Sequence, residues 1–66
     1  MKNKLKIERA IKDITQEELA REIGVTRQAI NSIELGKYVP STILALKLSR
    51  FFGKPVNDIF LLEDND

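Results

Sequence analysis

Cysteine and histidine are both absent from the 66 residues, and tryptophan with them. Without cysteine there is no disulfide, no thiolate metal site and no thiol chemistry. Without histidine, a zinc centre and a histidine-based pH switch are excluded in practice. No apolar run approaches the ~20 residues of a membrane span, and Met1-Lys2-Asn3-Lys4 leads into no signal-peptide core. A soluble, cytoplasmic chain with no membrane partner is the expectation. Neither sign of charge dominates, with 11 Lys/Arg against 10 Asp/Glu and a net charge of +1. Residues 1–40 hold eight basic and six acidic side chains, and residues 41–66 three and four. That tilt leans toward an anionic partner on one side, although such totals also describe a solvated mixed-charge surface.

What is present is a set of short amphipathic segments divided by three glycines and two prolines. So short a chain forms one domain, residues 1–66, near the size where a single core supplies little net stability. Leu5 to about Asp13 reads as a first helix, with Ile7, Ile11 and Ile14 spaced for one buried side. Thr15-Gln16-Glu17-Glu18 is a capping box, in which the threonine oxygen accepts from the amide three residues on and Glu18 reaches back. A second helix then buries Leu19, Ala20 and Ile23. Gly24 ends it, in the position where positive φ is easiest. Thr26 caps a third helix from Arg27 to about Leu35, and Gly36 stops it. Pro40 disfavours helix just before it. Ser41 caps a fourth helix to Phe52, and Pro55 opens a short fifth through Phe60. No strand pattern appears, so the fold class expected is an all-α bundle of five helices.

Two capped helices of about two turns, joined by Gly24-Val25-Thr26, have the layout of a helix-turn-helix over residues 15–35. Projected at ~100° per residue, Ala29, Ile30 and Ile33 of the third helix share one arc. Arg27, Gln28, Asn31 and Ser32 share the opposite arc, none of them acidic. A major groove admits a helix whose outer side offers donors, with Arg27 suited to guanine and Gln28 or Asn31 to adenine. An ordinary solvated helix face has similar residues, and it is the turn before this helix that favours recognition. The free amides at the start of the second helix suit a phosphate oxygen, with Thr15 capping and Gln16 adding a donor. Lys37 and Tyr38 either clamp the backbone farther along or, for Tyr38, pack under the loop.

The run Ile14-Thr15-Gln16-Glu17-Glu18-Leu19-Ala20, then Ile23-Gly24-Val25-Thr26-Arg27-Gln28, Ile30, Ile33-Glu34, Gly36-Lys37 and Pro40-Ser41, resembles the phage Cro/CI repressor family. That family is also called the xenobiotic-response-element family, and the likeness runs from about Leu5 to Leu62. The ending Asn57-Asp58-Ile59-Phe60-Leu61-Leu62-Glu63 is similar to minimal dimeric regulators of the cytolysin repressor type. The resemblance implies a lambda-repressor-like fold and double-stranded DNA as partner. It implies Gln16 as a phosphate contact and Thr26, Arg27, Gln28, Asn31 and Ser32 at base-contacting positions. Lys37 and Tyr38 match a backbone-contacting loop, and Arg9 and Glu34 an ion pair linking the first helix to the third. Two positions depart from the family's pattern. Glu8 stands where an apolar residue is usual, leaving the rotation of the first helix open. Ser49 replaces a usual alanine and needs a carbonyl for its hydroxyl.

The fourth helix is too apolar for one core. If Ala45, Leu48, Ser49 and Phe52 line the interior, then Ile43, Leu44 and Phe51 are left over. Together with Ile59, Phe60, Leu61 and Leu62 they make a large apolar surface for so small a domain. Some of these residues must close the monomer core, and the remainder point to a homodimer through the region 43–62. Two reading helices about 34 Å apart would then match half-sites one turn apart. The leading expectation is a homodimeric, sequence-specific transcriptional regulator, a repressor on a palindromic operator. The alternative is an antitoxin whose apolar tail grips a toxin and which autoregulates its operon; the tail fits both. An enzyme lacks support, there being no glycine-rich phosphate loop and no nucleophile with a base beside it. No cofactor is implied, and a small-molecule effector is neither required nor excluded.

Overall fold

Hydroxyl side chains start three of the helices, and glycines in the left-handed region stop all three. The computed structural model describes residues 1–66. Its elements in order are β1 (Lys2–Asn3), α1 (Leu5–Lys12), α2 (Gln16–Ile23), α3 (Arg27–Glu34), α4 (Thr42–Phe52), α5 (Val56–Ile59) and β2 (Phe60–Leu61). Thr15, Thr26 and Ser41 each accept a hydrogen bond from the amide three residues on, at the starts of α2, α3 and α4. At α2 the capping box is complete, the Thr15 amide donating to Glu18 Oε1 at 3.0 Å. Gly24, with φ of +84°, lets the chain leave α2 at once and begin α3 two residues later. The result is mostly helical, five helices as the capping signals foretold.

The core is a single cluster to which every helix contributes. Leu5 of α1, Leu19, Ala20 and Ile23 of α2, and Ile30 and Ile33 of α3 meet Leu44, Leu48 and Phe52 of α4. Ile59 and Phe60 close it from the C-terminal side. Fully buried leucine and isoleucine side chains such as Leu19, Ile30 and Ile33 stabilise the fold by about 1.5–3 kcal/mol each.

Three sequence expectations are corrected here. Ile7 and Ile11, read as the buried side of the first helix, are 56 % and 67 % exposed, and α1 instead buries Leu5 and Glu8. The reason is ionic. Glu8 Oε2 lies 2.8 Å from Lys54 Nζ, and Arg9 makes a two-pronged pair with Glu34, whose side chain is 5 % exposed. Turning α1 to bury the isoleucines would expose Leu5 and leave Glu34 without its cation. An unpaired buried charge costs about 3–5 kcal/mol, more than the exchange of apolar area returns.

The second correction concerns strands. Residues 2–3 pair antiparallel with 60–61, Lys2 opposite Leu61 and Asn3 opposite Phe60. The Lys4 amide extends the ladder to the Ile59 carbonyl at 2.8 Å. Two-residue strands are too short to leave an alternating pattern. The Asn3 side chain also ties the N-terminal segment to α1 and α3, its Oδ1 accepting from the Leu5 amide and its Nδ2 donating to the Ile33 carbonyl.

The third correction concerns residues assigned to a second apolar face. Leu44, Ile59 and Phe60 are no more than 8 % exposed and belong to the monomer core. Of the others in that set, Phe51 and Leu61 are half-buried, while Ile43 and Leu62 stand 70 % and 83 % exposed. Ala45, expected inside, is only partly buried. Ser49 finds the carbonyl it needs just past the end of α4, donating to Lys54 O at 2.5 Å.

Candidate nucleic-acid interface

The outer side of α3 follows from its inner side. Ile30 and Ile33 are fully buried, so the helix is pinned in rotation and the residues opposite them must face out. Arg27 and Gln28 are exposed, as is the cap residue Thr26, while Asn31 and Ser32 are half-buried at the helix flank. No acidic side chain lies in the first turn of α3, and α3 packs closely with α2. Thr15 is exposed and Gln16 half-buried at the mouth of α2. The sequence-derived residues of this face are therefore all at or near the surface, and none is in the core.

The far end of α3 is fastened as firmly as its start. The Gly36 amide donates to Ile33 O and the Lys37 amide to Ser32 O, at 3.0 and 2.9 Å. These two bonds form a Schellman closure, made possible by Gly36 at φ of +75°. Lys37 and Tyr38 consequently leave α3 in a set direction, both exposed. Of the two alternatives for Tyr38, packing under the loop is not what is found, since the residue is 48 % exposed.

Behind this face lies a network that joins three helices. Arg9 Nε and Nη2 reach Glu34 Oε2 and Oε1 at 2.7 and 3.1 Å, and Arg9 Nη1 donates to the Ile14 carbonyl at 2.9 Å. The bond to Glu34 holds the Arg9 guanidinium above its ordinary pKa. Gln16 Nε2 donates to both Asn31 Oδ1 and Glu34 Oε1, each at 3.1 Å. Both side-chain hydrogens of Gln16 are thus used within the protein. The donors left facing outward at the start of α2 are the amides of Gln16 and Glu17, which no backbone bond takes up. The bond between Gln16 and Asn31 was not legible in the sequence, where the two stand 15 positions apart on different helices.

Residues 5–59 match the family described as Helix-turn-helix, of the Cro/CI type. The chain belongs to this helix-turn-helix family. An uncharacterized HTH-type transcriptional regulator of Methanocaldococcus jannaschii, MJ0272, is 54 % identical over 66 residues, covering all of both chains. YgzD of Bacillus subtilis, likewise named an uncharacterized HTH-type transcriptional regulator, is 47 % identical and again covered completely. One from Archaeoglobus fulgidus is 42 % identical over all of this chain and 93 % of its own. The five-helix architecture is accordingly the lambda-repressor-like, all-α fold. In this helix-turn-helix protein α2 and α3 are consecutive helices joined by Gly24-Val25-Thr26. No helix is long and apolar enough to cross a membrane.

Proposed function

We propose that this protein is a homodimeric transcriptional regulator that binds double-stranded DNA through α3, acting as a repressor on a palindromic operator. The observation that carries the reading is the open, acid-free outer side of α3, with Arg27 and Gln28 exposed at its first turn. Arg27 offers a planar fork of donors matched to guanine O6 and N7. Thr26, Gln28, Asn31 and Ser32 complete the base-reading set. The amides at the mouth of α2, with Thr15 beside them, and Lys37 and Tyr38 past α3 contact phosphates on either side. The relatives described above are named as transcriptional regulators, which agrees with this role.

The dimer rests on apolar surface that the monomer leaves open. Val39, Ile43, Leu46 and Leu62 are 62 %, 70 %, 57 % and 83 % exposed. A mainly apolar groove of about 280 Å³ lies among Val39, Pro40, Ala45, Leu46, Val56 and Phe60. A second copy on this side would present two α3 helices to one face of a duplex. The antitoxin reading gains no support from those relatives.

Selection of bound duplexes from random DNA, with sedimentation of the free protein, tests the proposal. An inverted repeat should be enriched, its halves about one helical turn apart. Arg27→Ala should relax base choice at one position by about 1–3 kcal/mol, while Lys37→Ala weakens all sequences alike and lowers the salt slope by about one. A protein that stays monomeric at tens of micromolar, or an Arg27→Ala variant with unchanged affinity and base choice, contradicts the proposal.

A further inference from the structure

The outer side of α1 is an apolar stripe edged by cations. Ile7 and Ile11 stand one helical turn apart, 56 % and 67 % exposed, with Ala10 exposed between them. Ile14, half-buried, continues the line just past the helix. Lys4, three positions before Ile7, borders the stripe on one edge, and Lys6, four before Ala10, on the other; both are exposed. The only acid among residues 1–12 is Glu8, which is buried and held by Lys54 Nζ at 2.8 Å, so no carboxylate of α1 stands on this side. Neither packing nor local preference accounts for the two isoleucines. They bury little surface within the domain, and a β-branched side chain at an open helix position is a poorer helix former than alanine, lysine or glutamate. Arg9, which reaches Glu34 of α3, lies roughly 160° from Ile7 around the axis at ~100° per residue, so the stripe turns away from α3.

We propose that this side of α1 is a docking surface for an amphipathic helix of another protein, one whose apolar seam is edged by Asp and Glu. Positions 7, 10, 11 and 14 are the i, i+3, i+4 and i+7 anchors with which one helix packs along another. Lys4 and Lys6 then stand opposite the partner's carboxylates and set which helix is accepted, as flanking charges do in paired helices. A second copy of the same face is a poor occupant, because α1 packed on α1 brings lysine edges against lysine edges. A lipid surface is served less well, since two exposed isoleucines on a helix of eight residues are a small face to insert. The docking side goes beyond the DNA-binding reading and does not depend on it. With the stripe turned away from α3, duplex and partner could be held at once on opposite sides of the protein.

The probe is a synthetic peptide of three heptads, leucine at a and d and glutamate at e and g, titrated into the isotope-labelled full-length chain and followed by amide NMR shifts. Shifts should cluster on Lys4, Lys6, Ile7, Ala10 and Ile11. A peptide with lysine in place of each glutamate should bind about 10-fold more weakly or not at all. Ile7→Ser/Ile11→Ser removes both anchors from exposed positions and should lower affinity for the glutamate peptide by about 10-fold or more, the effect of losing an interface anchor. Lys4→Glu/Lys6→Glu should reverse the order of the two peptides, and Arg27→Ala should leave it unchanged. Melting curves show that each variant keeps its fold, and either double variant decides the matter without the other. Shifts centred on Val39 and Leu46, or on Arg27 and Lys37, overturn the proposal by placing the peptide in the α4 groove or on the α3 face. No binding at about 1 mM peptide overturns it as well. Adsorption to phosphatidylserine vesicles that Ile7→Ser/Ile11→Ser abolishes, with the peptide left unbound, would assign the stripe to a membrane surface instead. None of these outcomes bears on the selection of duplexes by α3, so the two readings fail separately.

Discussion

α1 and α3 are each eight residues long and both carry isoleucines at helical spacing, yet they are set in the fold by different forces. In α3 the isoleucines go inward: Ile30 and Ile33 are fully buried, and the polar arc opposite is free for other work. In α1 the isoleucines stay outside while Glu8 and Arg9 face partners on distant elements. α3 starts on a threonine cap and ends on a glycine, so its length and angle are settled locally. α1 has no such cap of its own, Lys4 making no side-chain bond to it, and it ends on Asp13 in the left-handed region at φ of 55°. Apolar periodicity thus locates a helix, whereas its rotation goes to whichever partner is dearest to lose. For α3 that is the core; for α1 it is Leu5 together with two ion pairs.

The sharpest way to break this contrast is to exchange the fates of the isoleucines. Ile33→Ala should cost about 2–5 kcal/mol, the range for truncating a buried isoleucine, and on a domain this small it would remove much of the folded population at moderate temperature. The double variant Ile7→Ser/Ile11→Ser should change stability by no more than about 0.5 kcal/mol per site, as exposed substitutions do. Urea midpoints of the two proteins decide it. A large loss from the serine pair would mean that α1 is rotated from the arrangement described here.

Next in size is Arg9→Met, which preserves bulk and removes the cation beside Glu34. With the Glu34 side chain 5 % exposed and Arg9 at 16 %, a loss of about 2–4 kcal/mol is expected, at the lower end for a broken buried pair. The double variant Arg9→Met/Glu34→Met should recover part of it, since no lone charge then remains. Chemical denaturation of the three proteins measures this, and a double variant no better than the single one would assign the loss to packing.

The α2–α3 half of the fold was legible because its signals are local. Thr15 with Glu18, Gly24, Thr26 and Gly36 each act within a few residues, so caps, turn and helix ends could be read in order. The Arg9–Glu34 pair was implied by the family resemblance, but the rotation of α1 was not legible from its periodicity, because the partner of Glu8, Lys54, lies 46 positions away. In α4 and the tail, helical spacing did not say which apolar residues close the core. Leu44, Ile59 and Phe60 turn inward and complete it. Of the candidate interface, which residues face outward was readable from periodicity in α3. The bonds from Gln16 to Asn31 and Glu34 were not, since they join side chains of different helices.

Glu8→Leu probes the weaker of the two ion pairs holding α1. Lys54 is 41 % exposed, so on losing Glu8 it can turn to water instead of remaining stranded. A buried ion pair replaced by an apolar group of similar volume is often neutral or slightly stabilising. Here the change should lie within about 1 kcal/mol of the parent. A midpoint lowered as far as that of Arg9→Met would show that the Glu8–Lys54 contact, too, is indispensable to the rotation of α1.

The smallest effect separates the helix ends by their response to acid. Glu18 in the α2 capping box has its carboxyl pKa drawn below the ordinary 4.5, chiefly by the hydrogen bond from the Thr15 amide. A carboxyl whose folded pKa is depressed contributes stability that is fully present above its unfolded value and is lost as pH falls through the folded one. The α2–α3 half should therefore loosen as pH drops below 4.5, while the Thr26 cap of α3, having no titrating partner, keeps its bond. Glu18→Gln retains an acceptor for the Thr15 amide without the titration. Thermal melts of this variant between neutral pH and pH 3 should fall less steeply in the acid limb than those of the parent, with the difference confined to pH below 4.5. Parallel curves across the whole range would mean that the cap at the mouth of α2 stabilises equally with Glu18 charged or neutral, and that the acid sensitivity of this half resides elsewhere.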